Sequence, residues 1–357
     1  MSLSIIRMRW GMAIHKVRFQ PVNIEIEVSE DETILNAAFR QGVSLTHGCR
    51  EGQCGACKSF LLDGDLEMQK YSTFALPEYE SDEGYVLLCR SHVYSDAEVE
   101  LINYDEDILR LGIPIETFKT TIEAIEPLTH DIRRLVLKLN EPARKLRFNA
   151  GQYTSIRIPG GEEERAYSMA NTPRSTDRLE FMIKVFPGGL FSSLLDGGFT
   201  IGQELEVRGP YGVFMLREKY ETEIVCVGGG SGMAPLWSLL NDMAERGIKR
   251  KATYFYGARA RKDLFYLDQL RELEERLPGF RFIPALSMAA EEDEWHGETG
   301  LITDVLDRQL MGDYGHAQAY LCGPPPMIDA AIPVLARKGI SEDRIFYDKF
   351  TPTGKVE

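Results

Sequence analysis

The sequence predicts three domains: a small α+β domain, an antiparallel β-barrel, and an α/β domain with a doubly wound parallel sheet. Its 357 residues exceed what one hydrophobic core usually fills. Four of the six cysteines fall between residues 49 and 89. The hydrophobic pattern then changes twice, first to short strands between glycine and proline turns and later to alternating strands and helices. We place the domains at residues 12–105, 114–218 and 219–357.

The first domain opens with an alternating pattern that predicts a β-hairpin. Its strands are expected at Lys16–Phe19 and Asn23–Val28, and a short helix at Thr33–Gln41 is expected to end at Gly42. Residues 103–114, where an acidic stretch gives way to a strand-rich pattern, are expected to form a charged linker.

The middle of the chain predicts short strands separated by glycine and proline turns, as in a small antiparallel barrel. One helix, Phe191–Leu195, is expected to interrupt the series. The expected strands are Phe118–Ile125, Arg134–Lys138, Tyr153–Ile158, Leu179–Val185 and Glu204–Arg208.

The last third alternates between strands and helices, which predicts a parallel sheet with helices on both faces. A buried strand at Ile224–Val227 leads through a glycine loop into a helix at Met233–Ala244. The alternation continues through strand Thr253–Tyr256, helix Leu264–Leu277, strand Arg281–Leu286, helix Leu301–Leu310, strand Ala319–Cys322, helix Met327–Lys338 and strand Arg344–Tyr347.

Charge and hydrophobicity argue against several classes of function. The net charge of −14 argues against nucleic-acid binding, which depends on cations that neutralise phosphates. No apolar run approaches the roughly 20 residues of a membrane helix, and residues 1–11 lack the apolar core of a secretory signal. We therefore expect a cytoplasmic protein that does not enter the membrane.

The negative charge is concentrated in the first domain. Residues 1–105 hold 9 Lys and Arg against 17 Asp and Glu, a net charge of −8, and the remaining residues hold 32 against 38, a net charge of −6. An acidic first module favours electrostatic docking to a partner. The alternative is that the charge only keeps the module in solution.

Four cysteines form a recognisable spacing. Cys49, Cys54 and Cys57 give the pattern C-x4-C-x2-C, and Cys89 follows after 31 further residues. Plant-type ferredoxins hold a [2Fe–2S] cluster with this spacing. Zinc sites, the first alternative, usually present two short C-x2-C pairs, and this sequence has one. Reduced structural thiols are the second alternative for these four cysteines. Cys226, which lies outside the group, is interpreted as an inert buried cysteine.

Two stretches of the middle domain resemble flavin-binding motifs of the ferredoxin–NADP reductase superfamily. Residues 165–168, R-A-Y-S, resemble its R-x-Y-S motif, in which the arginine can fork onto a pyrophosphate and the tyrosine offers an aromatic face. Alone this motif is weak, because strands with a surface arginine and a tyrosine are common. Residues 188–192, G-G-L-F-S, open the predicted helix, and a helix N-terminus binds phosphate. Together the two stretches predict a flavin site.

Two loops of the last domain predict a nicotinamide site. Residues 230–235, G-S-G-M-A-P, lack the third glycine of the G-x-G-x-x-G fingerprint but resemble the G-x-G-x-x-P loop of the same superfamily. Residues 322–327, C-G-P-P-P-M, follow a predicted parallel strand, and open sheets bind ligands at that edge. A plain strand–helix turn would account for the first loop alone, and the second loop strengthens the nicotinamide interpretation.

The order of the modules resembles the reductases of bacterial multicomponent oxygenases. CREGQCGACK at 49–58 and EGYVLLCR at 83–90 resemble their ferredoxin module. Residues 64–90 and the ending FTPTG at 350–354 look most like the reductases of soluble methane and propane monooxygenases. The resemblance implies a β-grasp ferredoxin domain, an FAD barrel and an NAD domain, with a separate di-iron hydroxylase as partner. Reductases of aromatic-ring dioxygenases share this domain order and remain the alternative.

The resemblance also implies which residues form the sites. Ser168 is expected at flavin N5, and Cys322 beside the nicotinamide as a positioning group, so both are candidate catalytic residues. The implied cluster ligands are Cys49, Cys54, Cys57 and Cys89. The implied FAD-binding residues are Arg165, Tyr167, Ser168, Lys184, Gly188, Gly189, Leu190, Phe191, Ser192 and Phe350. The implied NADH-binding residues are Gly230, Gly232, Met233, Arg259, Cys322, Gly323, Pro324 and Met327.

The activity implied by the resemblance is that of an NADH-dependent flavin and iron–sulfur oxidoreductase. Hydride would pass from the nicotinamide to flavin N5, and single electrons would reach the hydroxylase through the cluster. We expect a monomer that docks transiently through its ferredoxin domain and prefers NADH, although Arg259, Arg261 and Lys262 leave NADPH open. A catalytically inactive, zinc-bearing regulatory protein on the same fold is the alternative from another class. Membrane quinone reductases with similar modules would need an anchor.

Overall fold

The computed structural model describes residues 13–174 and 177–350. Internal contacts divide the chain into two compact units, residues 1–115 and residues 116–357. Within the described ranges, no helix combines the length and the apolar character needed to cross a membrane. Two sequence expectations concern residues outside the described ranges. They are the lack of a secretory signal in residues 1–11 and the resemblance of the ending at residues 351–354.

The first unit is the expected α+β domain. Its elements are β1 (Ile14–Gln20), β2 (Ile24–Ser29), α1 (Ile34–Arg40), β3 (Lys58–Asp63), β4 (Leu66–Met68), α2 (Glu78–Glu83), β5 (Tyr85–Leu87), β6 (Ser91–Val93), β7 (Ala97–Leu101) and α3 (Glu106–Arg110). The main sheet has the order β2–β1–β7–β3–β5, with β1 parallel to β7 and the other pairs antiparallel. Strands β4 and β6 form a separate small sheet.

The predicted hairpin and first helix are confirmed, with ends that differ by one or two residues. Helix α1 begins after Thr33, whose Oγ1 accepts a hydrogen bond from the N–H of Asn36 at 3.3 Å. This cap satisfies one of the N–H groups that a first helical turn leaves free. The cysteine loop lies between α1 and β3, and Cys89 lies between β5 and β6.

The segment expected to be a charged linker contains helix α3. Ile108 and Leu109 of α3 are buried, and the carbonyl oxygen of Leu109 accepts from the N–H of Ser44 at 3.4 Å. The segment therefore packs within the first unit, and the division between the units falls after Ile115. The sequence pattern was dominated by acidic residues, whereas buried apolar residues decide how the segment folds. The domain boundaries at 105, 114 and 218 stay predictions.

The second unit begins with an antiparallel sheet that nearly closes into a barrel. Its strands are β8 (Glu116–Pro127), β9 (Ile132–Glu141), β10 (Tyr153–Arg157), β11 (Glu164–Ser168), β12 (Arg178–Lys184) and β13 (Glu204–Tyr211). They lie in the order β11–β10–β13–β8–β9–β12, and a bridge between Met169 and Phe181 links the two edges. The five predicted strands are confirmed, and β11 is an additional one. The helix predicted at Phe191–Leu195 is a short 3-10 helix at Ser192–Asp196.

A parallel sheet with helices on both faces completes the second unit, as predicted. Its elements are β14 (Ile224–Gly229), α4 (Met233–Arg246), β15 (Ala252–Ala258), α5 (Leu267–Arg276), β16 (Phe280–Leu286), β17 (Glu298–Thr299), α6 (Ile302–Gln309), β18 (Gln318–Gly323), α7 (Pro325–Arg337) and β19 (Ile345–Lys349). The strand order is β17–β16–β15–β14–β18–β19. Helices α4 and α5 cover one face, and α6 and α7 cover the other.

The barrel and the parallel sheet share one hydrophobic core. Ile132, Met182 and Phe214 of the barrel region pack with Met233 and Leu236 of α4. The first turn of α4 is therefore fixed against the barrel. A Cβ on Gly230, in the loop after β14, would lie 3.9 Å from Cδ1 of Ile132 at the start of β9.

Candidate functional site

The four cysteines of the first unit form two pairs. The Cys49 thiol contacts that of Cys54 through a hydrogen bond, and the Cys57 thiol contacts that of Cys89. In the described part of the chain, no three side chains of His, Cys, Asp or Glu surround a position for a single ion. Two thiol pairs suit a cluster of two irons held by four cysteines.

Backbone N–H groups point at the sulfur atoms of this loop. The N–H groups of Glu51 and Gln53 donate to Cys49 Sγ at 3.4 and 3.2 Å, and the N–H of Cys49 donates to Cys54 Sγ at 3.3 Å. The hydrogen bond from Cys54 and then the amides lower the pKa of Cys49 to about 5, against the opposing effect of burial. Donors that stabilise a thiolate also stabilise the charged sulfur of an iron–sulfur cluster. The loop therefore fits a [2Fe–2S] group.

The loop closes tightly because glycine stands where other residues would collide. Gly55 has a φ of +70°, and a Cβ there would lie 2.9 Å from the carbonyl oxygen of Ala75. The segment that follows β4 is thus held against the loop. Cys54 is exposed, whereas Cys57 and Cys89 are buried, so one edge of the cysteine site reaches the protein surface.

In the barrel, the two flavin motifs lie side by side. Tyr167 of β11 packs on Phe191, with ring centroids 5.1 Å apart and ring planes at 42°. Burial raises the pKa of the Tyr167 hydroxyl, and Ser168 is buried next to it. Arg165 forms an ion pair with Glu163 at 3.0 Å and donates to the carbonyl oxygen of Glu164. The structure therefore brings residues 165–168 and 191 together.

The glycine-rich stretch after β12 differs from its prediction. It leads into a single 3-10 turn rather than an α-helix, and Gly197, in the left-handed region with φ of +108°, ends that turn. Gly188 and Leu190 are exposed, while Ser192 is buried and its Oγ accepts from the N–H of Phe186 at 3.1 Å. Any phosphate bound in this stretch would meet loop amides rather than the end of a long helix dipole. Lys184, at the end of β12, pairs with Asp131 at 2.9 Å.

The two loops expected at the nicotinamide touch each other. A Cβ on Gly232 would lie 2.2 Å from the carbonyl oxygen of Cys322, so only glycine fits at that position. On the other side, the Met327 Sδ would lie 3.4 Å from a Cβ on Gly229. Strands β14 and β18 are neighbours, and their carboxyl ends bring the loops to one edge of the sheet. Within these loops, Met233 is buried and Pro324 is exposed.

The last strand brings two further residues to this edge. In the register of β18 and β19, Cys322 is paired with Asp348, and the N–H of Phe350 donates to the carbonyl oxygen of Gly323 at 2.9 Å. Burial, and then the nearby Asp348, raise the pKa of the fully buried Cys322 thiol well above its usual value. Burial also raises the pKa of Asp348 to about 6. Sequence reasoning missed Asp348, and a single acid directly after the apolar run Ile345–Tyr347 was the available signal.

The basic segment after β15 is partly engaged by the protein itself. Arg259 is exposed directly after the strand, whereas Nη1 of Arg261 donates to the carbonyl oxygen of Asp293 at 2.9 Å. Asp263 Oδ2 accepts from the N–H of Ala260 at 2.9 Å. A carboxylate therefore stays fixed within this cationic segment.

Three protein families match consecutive parts of the chain. The match to the family described as 2Fe-2S iron-sulfur cluster binding domain covers residues 17–94. The oxidoreductase FAD-binding domain family matches residues 119–216, and the oxidoreductase NAD-binding domain family matches residues 226–332. The cofactors are therefore a [2Fe–2S] cluster, FAD and NADH.

Similar proteins and structures extend over nearly the whole chain. The reductase component of propane 2-monooxygenase from Mycolicibacterium goodii is 51% identical over 340 residues, 94% of this chain and 97% of that protein. The reductase component of phenol 2-monooxygenase from Pseudomonas sp. (strain CF600) is 37% identical over 336 residues, 94% of each chain. The electron transfer component of anthranilate 1,2-dioxygenase from Acinetobacter baylyi is 33% identical over 327 residues, 91% of this chain and 93% of that protein.

Among solved structures, the Amycolatopsis cytochrome P450 reductase GcoB is 30% identical, with a TM-score of 0.86 over 95% of this chain and 100% of that chain. The ferredoxin reductase in carbazole 1,9a-dioxygenase is 27% identical, with a TM-score of 0.75 over 96% of this chain and 100% of that chain. The chain therefore belongs to the family of reductase components of multicomponent monooxygenases and joins a [2Fe–2S] domain, an FAD-binding domain and an NAD-binding domain in one polypeptide.

Proposed function

We propose that this chain is the NADH-dependent reductase of a di-iron monooxygenase of the propane type and delivers electrons to its hydroxylase component. The observation that carries the proposal is that one chain contains the two cysteine pairs, the FAD-binding barrel and the parallel sheet of the NAD-binding domain. Nicotinamide gives two electrons as hydride, an iron–sulfur cluster accepts one at a time, and flavin can do both. The 51% identity to a propane 2-monooxygenase reductase component supports the choice of partner.

In the flavin barrel, we assign phosphate binding to Arg165 and to the stretch 188–192. The present partner of Arg165 is Glu163, whose side chain is 62% exposed. Only the Glu163 side of this ion pair is exposed, so Glu163 can move into solvent and leave the guanidinium to a phosphate, which arginine binds through two parallel hydrogen bonds. Tyr167 and Phe350 would flank the flavin ring, Ser168 would face its reacting edge, and Lys184 would lie at the rim.

At the sheet edge, we assign NADH binding to Gly230, Gly232, Met233 and the loop 323–327, with Arg259 on the flank. Cys322 remains a neutral thiol because burial raises its pKa, and a neutral thiol is a poor nucleophile. Its role is therefore to shape the nicotinamide site and to exclude water there.

The function is tested with the full-length protein, a propane monooxygenase hydroxylase and NADH. We expect propane oxidation to depend on the reductase and to stop when it is omitted. Reduction of ferricyanide by NADH without any transfer to the hydroxylase would contradict the proposed partner and leave the flavin chemistry intact.

The cluster ligands are tested separately by Cys54→Ser. We expect this variant to lose the electron paramagnetic resonance signal of the reduced cluster, while Cys226→Ala, which removes a buried thiol from the other unit, keeps it. A wild-type signal in Cys54→Ser would remove Cys54 from the ligand set.

We assign hydroxylase docking to the surface formed by Phe74 and helix α2, named the α2 surface. The N–H of Ser72 donates to the carbonyl oxygen of Gly52 at 2.9 Å, and Lys58 forms an ion pair with Glu80. These contacts hold α2 beside the exposed edge of the cysteine loop. Phe74 is 90% exposed, so the α2 surface combines an apolar side chain with acidic ones.

The acidic residues of the α2 surface are available for a partner. Glu78, Asp82 and Glu83 are exposed. Asp96, an acidic residue of the same unit outside this surface, instead accepts from the N–H of Lys16 at 2.8 Å. Redox encounters are usually small and transient, and opposite charge raises their association rate. We therefore assign a transient, electrostatically steered contact between monomeric reductase and a basic surface of the hydroxylase.

This docking surface is tested with Glu78→Gln/Asp82→Asn against a control, Glu27→Gln/Asp31→Asn, which removes the same charge near the opposite edge strand β2. We expect the first pair to raise the apparent KM for hydroxylase by about three- to tenfold, and the control to leave it unchanged. Glu80 is spared because it pairs with Lys58. Coupled turnover should also fall with salt, because the Debye length at physiological ionic strength is only about 8 Å. Equal, salt-independent turnover in both variants would reject the assignment.

A further inference from the structure

Arg90 directly follows the fourth cysteine and folds its side chain over the cysteine loop. A Cβ placed on Gly52 would lie 3.0 Å from Cγ and 3.2 Å from Cδ of Arg90, so the arginine stem covers the backbone of Gly52. The main chain of Arg90 is fixed at both ends: its N–H donates to the carbonyl oxygen of Leu87, and its carbonyl oxygen accepts from the N–H of Gln69, both at 2.8 Å. The point at which the side chain leaves the backbone is therefore set by the fold.

The same glycine connects Arg90 to a cysteine sulfur. The N–H of Gly52 lies near the sulfur of Cys89, and the stem of Arg90 lies on that glycine. A guanidinium keeps its positive charge under all physiological conditions. The fold thus places a permanent cation next to the thiol pair of Cys57 and Cys89.

One donor of Arg90 is left without a partner. Its Nε is buried and has no hydrogen-bond acceptor among the described residues. A buried donor without an acceptor is unfavourable, more so on a charged group, and native proteins rarely keep one. The acceptors that the cysteine site gains on loading are sulfur atoms that carry negative charge.

We propose that Arg90 is a positioning residue of the cluster site, whose Nε–H donates to the sulfur shell and whose charge raises the reduction potential of the cluster. This inference rests on the proposed cluster site at Cys49, Cys54, Cys57 and Cys89. The reduced cluster carries one more negative charge than the oxidised one, so a nearby donor and cation stabilise the reduced form more strongly. Removing them lowers the potential.

The test is a redox titration of the full-length holoprotein, followed by the paramagnetic signal of the reduced cluster. Arg90→Met keeps an apolar stem over Gly52 but removes the donor and the charge. Arg90→Lys keeps the stem and the charge but removes the Nε–H. At a fixed electrode potential we expect an about tenfold lower ratio of reduced to oxidised cluster in Arg90→Met, equivalent to about 59 mV for one electron, and a smaller decrease in Arg90→Lys.

The matched control is Arg18→Met. Arg18 lies on β1 and pairs with Glu25 on the edge strand β2 at 3.0 Å, whereas β5, which leads to Cys89, forms the opposite edge. This variant removes one cation from the same unit, and we expect the wild-type potential.

A wild-type potential in Arg90→Met would overturn the inference. If Arg90→Met does not retain a cluster, Arg90→Lys decides: a lowered potential supports the inference, and a wild-type potential overturns it. A wild-type protein without any cluster signal would overturn the cluster site, and this inference with it. The two failures are thus distinguishable.

Discussion

The backbone N–H of Phe350 donates to the carbonyl oxygen of Gly323 at 2.9 Å. This hydrogen bond fixes the end of β19 against the loop that follows β18, and Phe350 packs on the core that contains Cys322 and Met233. The last described residue of the chain therefore lies at the sheet edge where both proposed nicotinamide loops end.

If Phe350 covers the flavin, replacing it alters the surroundings of the flavin ring more than it alters the stability of the fold. We expect Phe350→Ser to shift the visible absorption bands of the flavin and to change KM for NADH by about fivefold, roughly 1 kcal/mol. The measurements are an absorption spectrum and steady-state kinetics with ferricyanide.

The control for Phe350 is Phe346→Ser. Phe346 packs on Tyr320 with ring centroids 5.2 Å apart, and the Arg217 guanidinium carbon lies 4.3 Å from its ring centroid. Because these contacts are structural, we expect a lower Tm and an unchanged flavin spectrum. A Phe350→Ser variant that behaves like this control would make Phe350 a core residue.

The fragment 116–357 is expected to fold without the first unit, because the division between the units falls after Ile115 and the fragment has its own shared core. We expect it to bind FAD and to reduce ferricyanide with NADH at a rate close to that of the whole protein. It should not support the hydroxylase, since it lacks the four cysteines. Full coupled turnover by the fragment would contradict the proposed electron route.

Sequence patterns predicted the second unit better than the first. The buried run Ile224–Val227 followed by glycines left few alternatives to a strand and a phosphate-type loop, and the structure has β14 there. Strand β11 was missed because its residues, E-R-A-Y-S, are mostly polar and show no alternation. Helix α3 was missed because acidic neighbours obscure the apolar pair Ile108 and Leu109.

In the candidate sites, too, the sequence revealed local features and missed those that depend on distant segments. Spacing alone indicated a cluster at four cysteines, because ligand spacing is a local property of the chain. The raised pKa of Asp348 and the unpartnered Nε of Arg90 depend on burial by distant segments. No local pattern reveals such burial, so these residues emerged only from the fold.

We predict a preference for NADH over NADPH of at least about tenfold in kcat/KM, roughly 1.4 kcal/mol. Arg261 is already engaged by the carbonyl oxygen of Asp293, and the carboxylate of Asp263 is fixed in the same segment. That carboxylate repels a 2′-phosphate, so Asp263→Asn should increase the relative use of NADPH while keeping the bond to Ala260.

The control for this prediction is Asp268→Asn, an exposed carboxylate in the first turn of α5. It should leave the ratio of the two nucleotides unchanged. A wild-type protein that prefers NADPH would show that Arg259 and Lys262 dominate the segment.

Stability should depend on pH through Asp348. Burial raises its pKa to about 6, above the roughly 3.9 of an unperturbed aspartate. The folded state therefore holds the proton more tightly than the unfolded state. Ionisation of Asp348 lowers the free energy of unfolding, and this loss grows as pH rises from about 4 to 6 and reaches its full size above about pH 6. Asp348→Asn cannot ionise and avoids this loss. Its free energy of unfolding should therefore equal that of the wild type at pH 4 and exceed it by about 1–2 kcal/mol at pH 7, a range that allows for the partial exposure of the side chain.

The measurement is Tm against pH for both proteins without added nucleotide. Asp329→Asn serves as the control, because Asp329 is an exposed residue that pairs with Lys349 at 2.7 Å, and it should show no gain at neutral pH. A Tm difference for Asp348→Asn that is the same at pH 4 and pH 7 would mean that the carboxyl ionises freely in the folded protein.

The complete burial of Cys322 affects how readily the protein is inactivated by oxidation. Peroxide and alkylating agents attack the thiolate rather than the thiol, and burial keeps this sulfur protonated and out of contact with solvent. An electron carrier that works beside an oxygen-activating partner is exposed to the peroxide that misdirected electrons produce. A sulfur at the proposed nicotinamide site would ordinarily be a point of oxidative damage, and the packing of β18 between β14 and β19 keeps this one out of reach of oxidants.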